Sequence, residues 1–559
     1  MADIVSRVYS NFRGVDFRGE EINLVRSPDS LNVWKDRRET ESIRTRPGMA
    51  PHTSFPADVY GIFFFRGAMI VHSGKNLYTV TAGGKKNIIF SDANEALSSG
   101  FVFEDTWYFK DGKNYLQYDG TTIKAVEGYV PTTTIARKPM GGGTKYEDVN
   151  MISDYRINAF LADGVSFSFF LDVINIDDDF VPEVTVNDEV VSTDAYTVDY
   201  SEAKIVFNET PPDPPLTDGQ DNVFIKFKKA TPKYKDAILG CTLLQVFDNR
   251  VFFSGYKDFP NVVWHCSLND PSYVSDLDYY REGMDSAQVK GLVAGNNALW
   301  VFREPSDANT TVFYHTPTID EEYGKIYPST HSSITTGCIG KAINFNDDIV
   351  FFSARGMEGI SGDVTTEQIV AHRSSLVDRK LISEADYTGM ILAEWEGYLF
   401  VFIGNRAYLA DSRAMFTNEN HYEYEWFYWE LEKAVSCATV QDNVLYLGTS
   451  DGVYTMSDMT ANVESWWTTP KDKFEYPHKL KTTNKRGCVS EATGDISVYA
   501  KLEDTDFELI GTYQEVTDYF VSRIKRKKFK DIQLKFYSQT RFSLETVTLE
   551  CFIGGYVKR

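Results

Sequence analysis

Long apolar runs are missing from this 559-residue sequence, whose longest hydrophobic stretches have only the length of a β-strand. A membrane-spanning helix needs about 20 consecutive apolar residues, and a secretory leader joins a basic start to an apolar segment. The sequence shows neither pattern. We therefore expect no membrane segment and no Sec-dependent export.

Cysteine is scarce, and its spacing excludes the common metal and redox motifs. The six cysteines form no C-x-x-C pair, and the eight histidines form no H-E-x-x-H pair. Zinc sites and dithiol redox sites require such spacings, so we predict no metal centre and no cofactor. We expect buried free thiols at Cys241, Cys266, Cys338, Cys437, Cys488 and Cys551.

Several partial motifs lack a residue that the corresponding chemistry needs. Residues 142–145 (GGTK) have the wrong order for a phosphate-binding P-loop, and residues 359–363 (GISGD) lack the last glycine of a nucleophile elbow. Residues 450–452 (SDG) lack the spacing and the tryptophan of the sialidase repeat. The run Asp177-Asp178-Asp179 lacks the alternating ligands of a calcium loop and predicts a solvated loop tip. We predict that the protein is not an enzyme.

Acidic residues outnumber basic ones, 80 to 57, which gives a net charge of −23. Wrapping DNA without sequence preference requires Lys and Arg to replace the counterions of phosphate, so this function is disfavoured. The same charge suits a surface past which DNA slides without adsorbing. The simpler alternative is that the acidity maintains solubility.

A hairpin pattern recurs seven times: a hydrophobic run, a turn of acidic, Asn or Gly residues, and a second run rich in β-branched and aromatic residues. Successive turns lie roughly 40–50 residues apart, except for one interval that is about 100 residues too long. This spacing is typical of β-propeller blades, whose small sheets stack on their neighbours. The turn pairs are Arg66-Gly67, Glu104-Asp105, Asp248-Asn249, Asn296-Asn297, Asn346-Asp347, Glu396-Gly397 and Asp442-Asn443.

The pattern predicts an all-β fold with a β-propeller of about seven blades, formed by residues 59–130 and 236–465. The long interval predicts an inserted β-sandwich over residues 131–235. Strands that alternate apolar with polar residues predict a C-terminal β-domain over residues 466–559. One helix is expected at residues 374–384, where apolar residues follow a 3.6-residue period.

Residues 1–58 have few long hydrophobic runs and several turn sequences, which predicts an N-terminal arm. We expect the arm to supply a strand that closes the propeller, because an open ring leaves exposed strand edges. The alternative is that the arm contacts a neighbouring subunit.

The densest cationic segment lies near the C-terminus, where six cations fall within eight positions. They create a local field opposite in sign to that of the whole chain, which suits contact with phosphate or with an acidic partner. The alternative is a turn and a solvated strand face. The residues of this basic patch are Arg523, Lys525, Arg526, Lys527, Lys528 and Lys530.

Five segments carry a resemblance to a known group of proteins. Residues 9–16 (YSNFRGVD), 27–36 (SPDSLNVWKD) and 44–48 (RTRPG) resemble the start of β-propeller proteins from tailed-bacteriophage virions. Residues 466–470 (WWTTP) and 481–487 (KTTNKRG) are similar to the segment that leaves the last blade in such proteins. The group comprises head-to-tail and tail-hub proteins, called phage stabilisation proteins, and is related in architecture to tail nozzle proteins.

The resemblance implies a structural protein that is made in the host cytoplasm and built into the neck or tail of the virion. It implies a homo-oligomeric, six-fold ring below the portal and adaptor that extends the DNA channel, retains the genome until ejection and anchors tail fibres or neighbouring rings. Double-stranded DNA passes through the lumen of such a ring without specific binding. No catalytic, metal or cofactor residue is implied.

A second function fits the same fold. A receptor-binding, glycan-binding or glycan-degrading propeller at the tail tip would use aromatic side chains to stack on sugar rings. Binding or cleavage of host polysaccharide distinguishes this alternative from the structural one.

Overall fold

The computed structural model of the chain describes residues 4–19, 23–36, 41–307, 310–321, 324–361, 369–384, 387–418, 421–524 and 528–556. These residues form 51 strands, two short α-helices and one 3₁₀ turn, which confirms the all-β expectation. The chain divides into two compact units. The first unit consists of residues 1–97, 295–314 and 330–559, and the second of residues 98–294 and 315–329.

Seven strands lie within the first 54 residues, in the first unit. They are β1 (Ile4–Tyr9), β2 (Gly14–Val15), β3 (Arg26–Ser27), β4 (Ser30–Leu31), β5 (Val33–Trp34), β6 (Ile43–Thr45) and β7 (Gly48–Ser54). Strands β2 to β6 have only two or three residues each, because turn residues interrupt this part of the sequence every few positions.

The first two hairpin repeats each form a four-stranded antiparallel sheet in which sequence neighbours pair in order. The sheet in the first unit consists of β8 (Val59–Phe65), β9 (Ala68–Ser73), β10 (Asn76–Val80) and β11 (Lys86–Phe90). The sheet in the second unit consists of β12 (Ser99–Phe103), β13 (Thr106–Lys110), β14 (Tyr115–Tyr118) and β15 (Ile123–Ala125). Short turns between the strands permit this direct antiparallel pairing.

Residues 132–228 contain nine strands in two sheets. They are β16 (Thr132–Arg137), β17 (Thr144–Lys145), β18 (Tyr155–Phe160), β19 (Ser168–Phe170), β20 (Glu183–Val186), β21 (Glu189–Val190), β22 (Tyr196–Asp199), β23 (Lys204–Phe207) and β24 (Val223–Lys228), with a 3₁₀ turn at Thr193–Ala195. One sheet has the order β17-β16-β18-β24-β20-β21 and the other β19-β23-β22. A common core that includes Phe160, Phe169 and Ile225 joins them.

The chain continues with a short helix and ten strands. They are α1 (Tyr234–Gly240), β25 (Leu243–Phe247), β26 (Arg250–Ser254), β27 (Val262–His265), β28 (Tyr279–Arg281), β29 (Val289–Gly295), β30 (Ala298–Arg303), β31 (Val312–His315), β32 (Thr318–Asp320), β33 (Gly324–Ile326) and β34 (Ser329–His331). Strands β25 to β28 form a four-stranded sheet in sequence order.

Two further four-stranded sheets and the start of a third follow in the first unit. Their elements are β35 (Ala342–Phe345), β36 (Asp348–Ser353), β37 (Gly356–Ser361), β38 (Ile369–His372), α2 (Asp378–Leu381), β39 (Ile391–Trp395), β40 (Tyr398–Ile403), β41 (Arg406–Asn418), β42 (His421–Glu430), β43 (Cys437–Gln441), β44 (Val444–Gly448) and β45 (Gly452–Asp458). The helix expected at residues 374–384 is confined to residues 378–381. The Ser374 carbonyl oxygen accepts bonds from the amides of Val377 and Asp378 at the start of this turn, while its hydroxyl accepts a bond from the amide of Met357 in β37.

The C-terminal residues build a large sheet together with the arm. Its strands from this region are β46 (Ser465–Thr468), β47 (Lys479–Leu502), β48 (Glu508–Val516), β49 (Tyr519–Ser522), β50 (Ile532–Ser538) and β51 (Phe542–Tyr556). The order is β4-β46-β50-β47-β51-β6-β5, with β1 paired to β51, and β48 and β49 paired to β47. Strand β7 pairs with β45 and so supplies the fourth strand of the last four-stranded sheet.

All seven hairpin turns lie between consecutive strands, as the sequence predicts. In six of them both central residues have positive φ, for example Asn296 at 51° and Asn297 at 58°. Two-residue turns of this kind match the right-handed twist of the strands, and Asn, Asp and Gly tolerate the conformation best. The conformational preferences of these residues therefore explain why Asn, Asp and Gly recur at the turns.

The six cysteines are buried free thiols, which confirms the expectation from their spacing. Burial raises the pKa of Cys241 and of Cys488 to about 12. These thiols are protonated at neutral pH and act as small apolar core residues.

Candidate functional site

The predicted basic patch lies on the connection between β49 and β50, in the first unit. Arg523, Lys528 and Lys530 are exposed there, while Ile524 and Phe529 of the same connection are buried. The other three members of the patch lie outside the described residues: Lys525, Arg526 and Lys527. The described cations therefore extend from a connection whose apolar residues are packed into the protein.

Lys481 of β47 hydrogen-bonds to this connection through its backbone and its side chain. Its amide donates to the carbonyl oxygen of Phe529 at 2.7 Å, and the Phe529 amide donates back to the Lys481 carbonyl at 3.1 Å. The buried Lys481 ammonium donates to the carbonyl oxygen of Lys530 at 2.6 Å and to that of Tyr476. Burial lowers the pKa of Lys481. These contacts position the connection without using the charges of Lys528 and Lys530.

A cavity of about 230 Å³ adjoins the patch. Arg523 and Lys528 line it together with apolar residues of β47 and the connection and with two glutamates, Glu503 and Glu508. The Glu503 carboxylate accepts a hydrogen bond from the amide of Lys530 at 3.0 Å, which ties this acidic residue to the patch itself. The site therefore combines an apolar interior with charged groups of both signs.

The arrangement of charges around the cavity suits binding to an acidic protein surface better than binding to a long polyanion such as DNA. A net charge of −23 repels DNA at a distance. The few exposed cations in the described part of the patch are too few to offset this repulsion. Exposed ion pairs contribute roughly 0–1 kcal/mol each, whereas an apolar side chain entering the cavity adds the burial of its surface. A partner that presents both a carboxylate and an apolar group fits this site best.

A set of buried charges in the first unit is missing from the sequence-based expectations. Glu423 and Glu425 occupy alternate positions of β42 and are fully buried. Glu425 accepts two hydrogen bonds from the guanidinium of Arg26, at 2.7 and 2.8 Å, and the same guanidinium lies 4.3 Å from the ring of Phe416. The sequence signal is the pair of glutamates at alternate positions of an aromatic strand, which when buried require a cationic or hydrogen-bonding partner.

His372 belongs to a second, partly buried cluster of charges. Its Nε2 lies 2.6 Å from one oxygen of Asp378, and the Ser374 hydroxyl donates to the other oxygen at 2.6 Å. A nucleophilic serine needs the histidine beside its hydroxyl, but here the carboxylate stands between them. Burial opposes the charged imidazolium, yet hydrogen bonds to Asp378 and Glu358 raise the pKa of His372 to about 10. At neutral pH His372 is therefore a cation that holds two carboxylates together.

The aspartates at residues 177–179 are loop residues, as the sequence predicts. Asp178 and Asp179 are exposed, and Asp177 accepts a hydrogen bond from the amide of Ala230 at 2.8 Å. Among the described residues, no group of three or more His, Cys, Asp or Glu side chains could hold a metal ion. Within the same ranges, no helix has the length and apolarity required to cross a bilayer.

Comparisons with known proteins found distant likenesses among solved structures. No protein-family model and no curated protein matches the chain. Among solved structures, BamB from Moraxella catarrhalis matches with 11% identity and a TM-score of 0.34, covering 74% of this chain and 96% of its own. Kluyveromyces lactis Hsv2 matches with 8% identity and a TM-score of 0.27, covering 66% of this chain and 98% of its own. A glycoside hydrolase matches with 7% identity and a TM-score of 0.23, covering 90% of this chain and 99% of its own.

Proposed function

We propose that the chain is a structural virion protein of a tailed bacteriophage and forms a homo-oligomeric, six-fold ring in the neck or tail. In this proposal the four-stranded sheets are the blades of a propeller of about seven blades, with an inserted β-sandwich and a C-terminal β-domain. The ring extends the DNA channel below the portal, retains the genome and anchors fibres. The proposal is based on the resemblance of the arm to phage stabilisation proteins, above all in residues 9–16 and 27–36.

The interlocking of the chain ends is the observation that carries the proposal. Strand β1 pairs with β51 over six residues, β4 pairs with β46, and β7 pairs with β45. A force that pulls on the arm must break whole rows of backbone hydrogen bonds and separate the buried Arg26–Glu425 pair. This construction suits a protein that must keep its shape beside densely packed DNA.

The net charge of −23 fits the same role. An acidic lumen repels phosphate, so DNA passes through it instead of adsorbing. Head-to-tail contacts that close a ring join two different surfaces of the same chain, and the exposed Arg523 and Lys528 offer a basic surface for an acidic neighbour.

Two measurements test the proposal. The first is negative-stain electron microscopy and mass photometry of the purified full chain, which we expect to show rings with a central channel. The second is immunogold labelling of virions of a phage that encodes the chain, which we expect at the neck or tail.

A chain that stays monomeric at the highest soluble concentration and labels no virion would contradict the proposal. Label confined to the distal tip of the tail would contradict it too, and would favour the receptor-binding alternative.

A further inference from the structure

A cleft of about 460 Å³ lies in the first unit between the β8–β9 hairpin, β7 and the β43–β44 hairpin. This volume falls in the range of roughly 300–1,000 Å³ found for small-molecule sites. Two partly exposed aromatic residues, Phe64 and Tyr446, line the cleft. Their ring centroids are 5.1 Å apart, and the imidazole of His52 lies 5.5 Å from the Tyr446 ring.

The floor of the cleft is rigid. Met69 and Val80, which line it, belong to a core cluster that joins β8 to β10 with β43 and β45. The carbonyl oxygen of Val59 accepts hydrogen bonds from the Ser436 hydroxyl and the Cys437 thiol, at 2.5 and 3.6 Å. The aromatic residues are therefore held on a preformed support.

Polar groups of several kinds surround the rings. Gln441, Asp442 and Arg66 line the cleft, and the Gln441 amide donates to the Asp442 carboxylate at 3.1 Å. His52 uses Nδ1 toward the Thr53 hydroxyl. Across the ranges that the structure describes, neither His52 Nε2 nor the Tyr446 hydroxyl makes a hydrogen bond. The His52 imidazole and the Tyr446 hydroxyl thus offer a donor and an acceptor to a bound molecule.

We propose that this cleft binds a neutral oligosaccharide. Flat aromatic faces accommodate the apolar faces of sugar rings. Each sugar hydroxyl both donates and accepts hydrogen bonds, which matches a mixed lining of amide, carboxylate, guanidinium and imidazole groups. The proposal rests on the cleft alone: sugar binding by itself would favour the tail-tip alternative, and label at the neck would show that the structural protein also binds sugar.

Anionic ligands fit the cleft less well. The Asp442 carboxylate and the net charge of −23 oppose an anionic polymer. A neutral, hydroxyl-rich ligand avoids this penalty.

Saturation-transfer NMR and calorimetric titration of the full chain test the proposal with maltohexaose, cellohexaose and chitohexaose as probes. We expect at least one probe to bind. Tyr446→Leu should weaken its binding about five- to tenfold through loss of the aromatic contact. Asp442→Asn should also weaken it, and asparagine suits the left-handed backbone of this turn position, where φ is 51°.

A matched control is Tyr454→Leu on the same sheet. Tyr454 pairs with Leu447, the neighbour of Tyr446, and so projects from the opposite face. We expect this variant to bind the probe as the unmodified chain does, and thermal melting identifies any variant that has failed to fold.

The proposal is overturned if none of the three probes binds at millimolar concentration. It is also overturned if heparin or an unstructured peptide occupies the cleft more tightly than every neutral probe, or if Tyr446→Leu and Tyr454→Leu change binding equally.

Discussion

Removing the Glu425 carboxylate should release the N-terminal arm. In the substitution Glu425→Ala, the Arg26 guanidinium keeps its buried position but loses both of its short hydrogen bonds, of 2.7 and 2.8 Å. The Arg26 side chain is 9% exposed and that of Glu425 is fully buried, so water cannot replace the lost partner without opening the arm. Breaking a buried ion pair in this way costs about 3–5 kcal/mol.

Hydrogen exchange of arm amides measures this loss directly. The Asp16 amide donates to the Ser27 carbonyl, and the Arg13 amide donates to the Val25 carbonyl, both at 2.7 Å. If the arm opens locally, a cost of about 3–5 kcal/mol corresponds to exchange that is roughly 10²- to 4 × 10³-fold faster. Exchange is preferable to global unfolding here, because a chain of this size does not unfold in two states.

Two further variants distinguish the charge from the shape of the side chain. Glu425→Gln keeps one acceptor for Arg26, so the loss should be smaller, about 1.5–3 kcal/mol. The double variant Arg26→Met with Glu425→Leu removes both charges, and the arm should then be nearly as protected as in the unmodified chain.

Lys433→Ala is the control. It removes an ion pair to Asp451 in which the two side chains are 37% and 50% exposed, so solvent screens the pair and arm exchange should stay as it is in the unmodified chain. If Glu425→Ala speeds arm exchange no more than Lys433→Ala does, the buried pair does not hold the arm and the reasoning fails.

The remaining predictions concern pH, backbone strain and assembly. The pKa of His372 is raised to about 10 from its ordinary value of 6.5. Its stabilisation should therefore be complete below pH 6.5 and be lost as the pH rises toward 10. The melting temperature should fall across this window, and a His372→Gln variant with the same slope would contradict the assignment. Gly14→Ala should destabilise by at least about 1–3 kcal/mol, because φ is +125° and the new Cβ would lie 2.0 Å from a backbone oxygen. Gly67→Asn, at an open turn position, should leave the midpoint of chemical unfolding unchanged. Arg523→Glu with Lys528→Glu should reduce ring formation in mass photometry, and the unmodified chain should lose rings as salt increases. If the variant and the unmodified chain assemble equally, the basic patch is not part of the subunit contact.

The sequence predicted the parts of the fold that depend on local chemistry. A turn such as Asn346-Asp347 specifies its own conformation, because few residue types tolerate two successive positive φ values. Alternation within a strand such as β50 likewise shows which face is buried, since side chains point to opposite faces in turn. The all-β class, the hairpin positions and the buried thiols follow from such signals. The helix near residue 378 spans only Asp378–Leu381 and is shorter than predicted, because an apolar period shows which face is buried and not where a helix begins and ends.

The tertiary structure alone decided which distant residues meet. Arg26 and Glu425 are separated by 399 positions, and no local pattern indicates that they pair. The sequence predicted that the arm supplies a strand to the repeat series, but only the fold shows that this strand is β7 and that its partner is β45. The cleft near Tyr446 also joins hairpins from the two ends of the repeat series. Sequence periodicity predicts the local structure of each segment. Which strands pair and where clefts form depends on packing between segments that lie far apart along the chain.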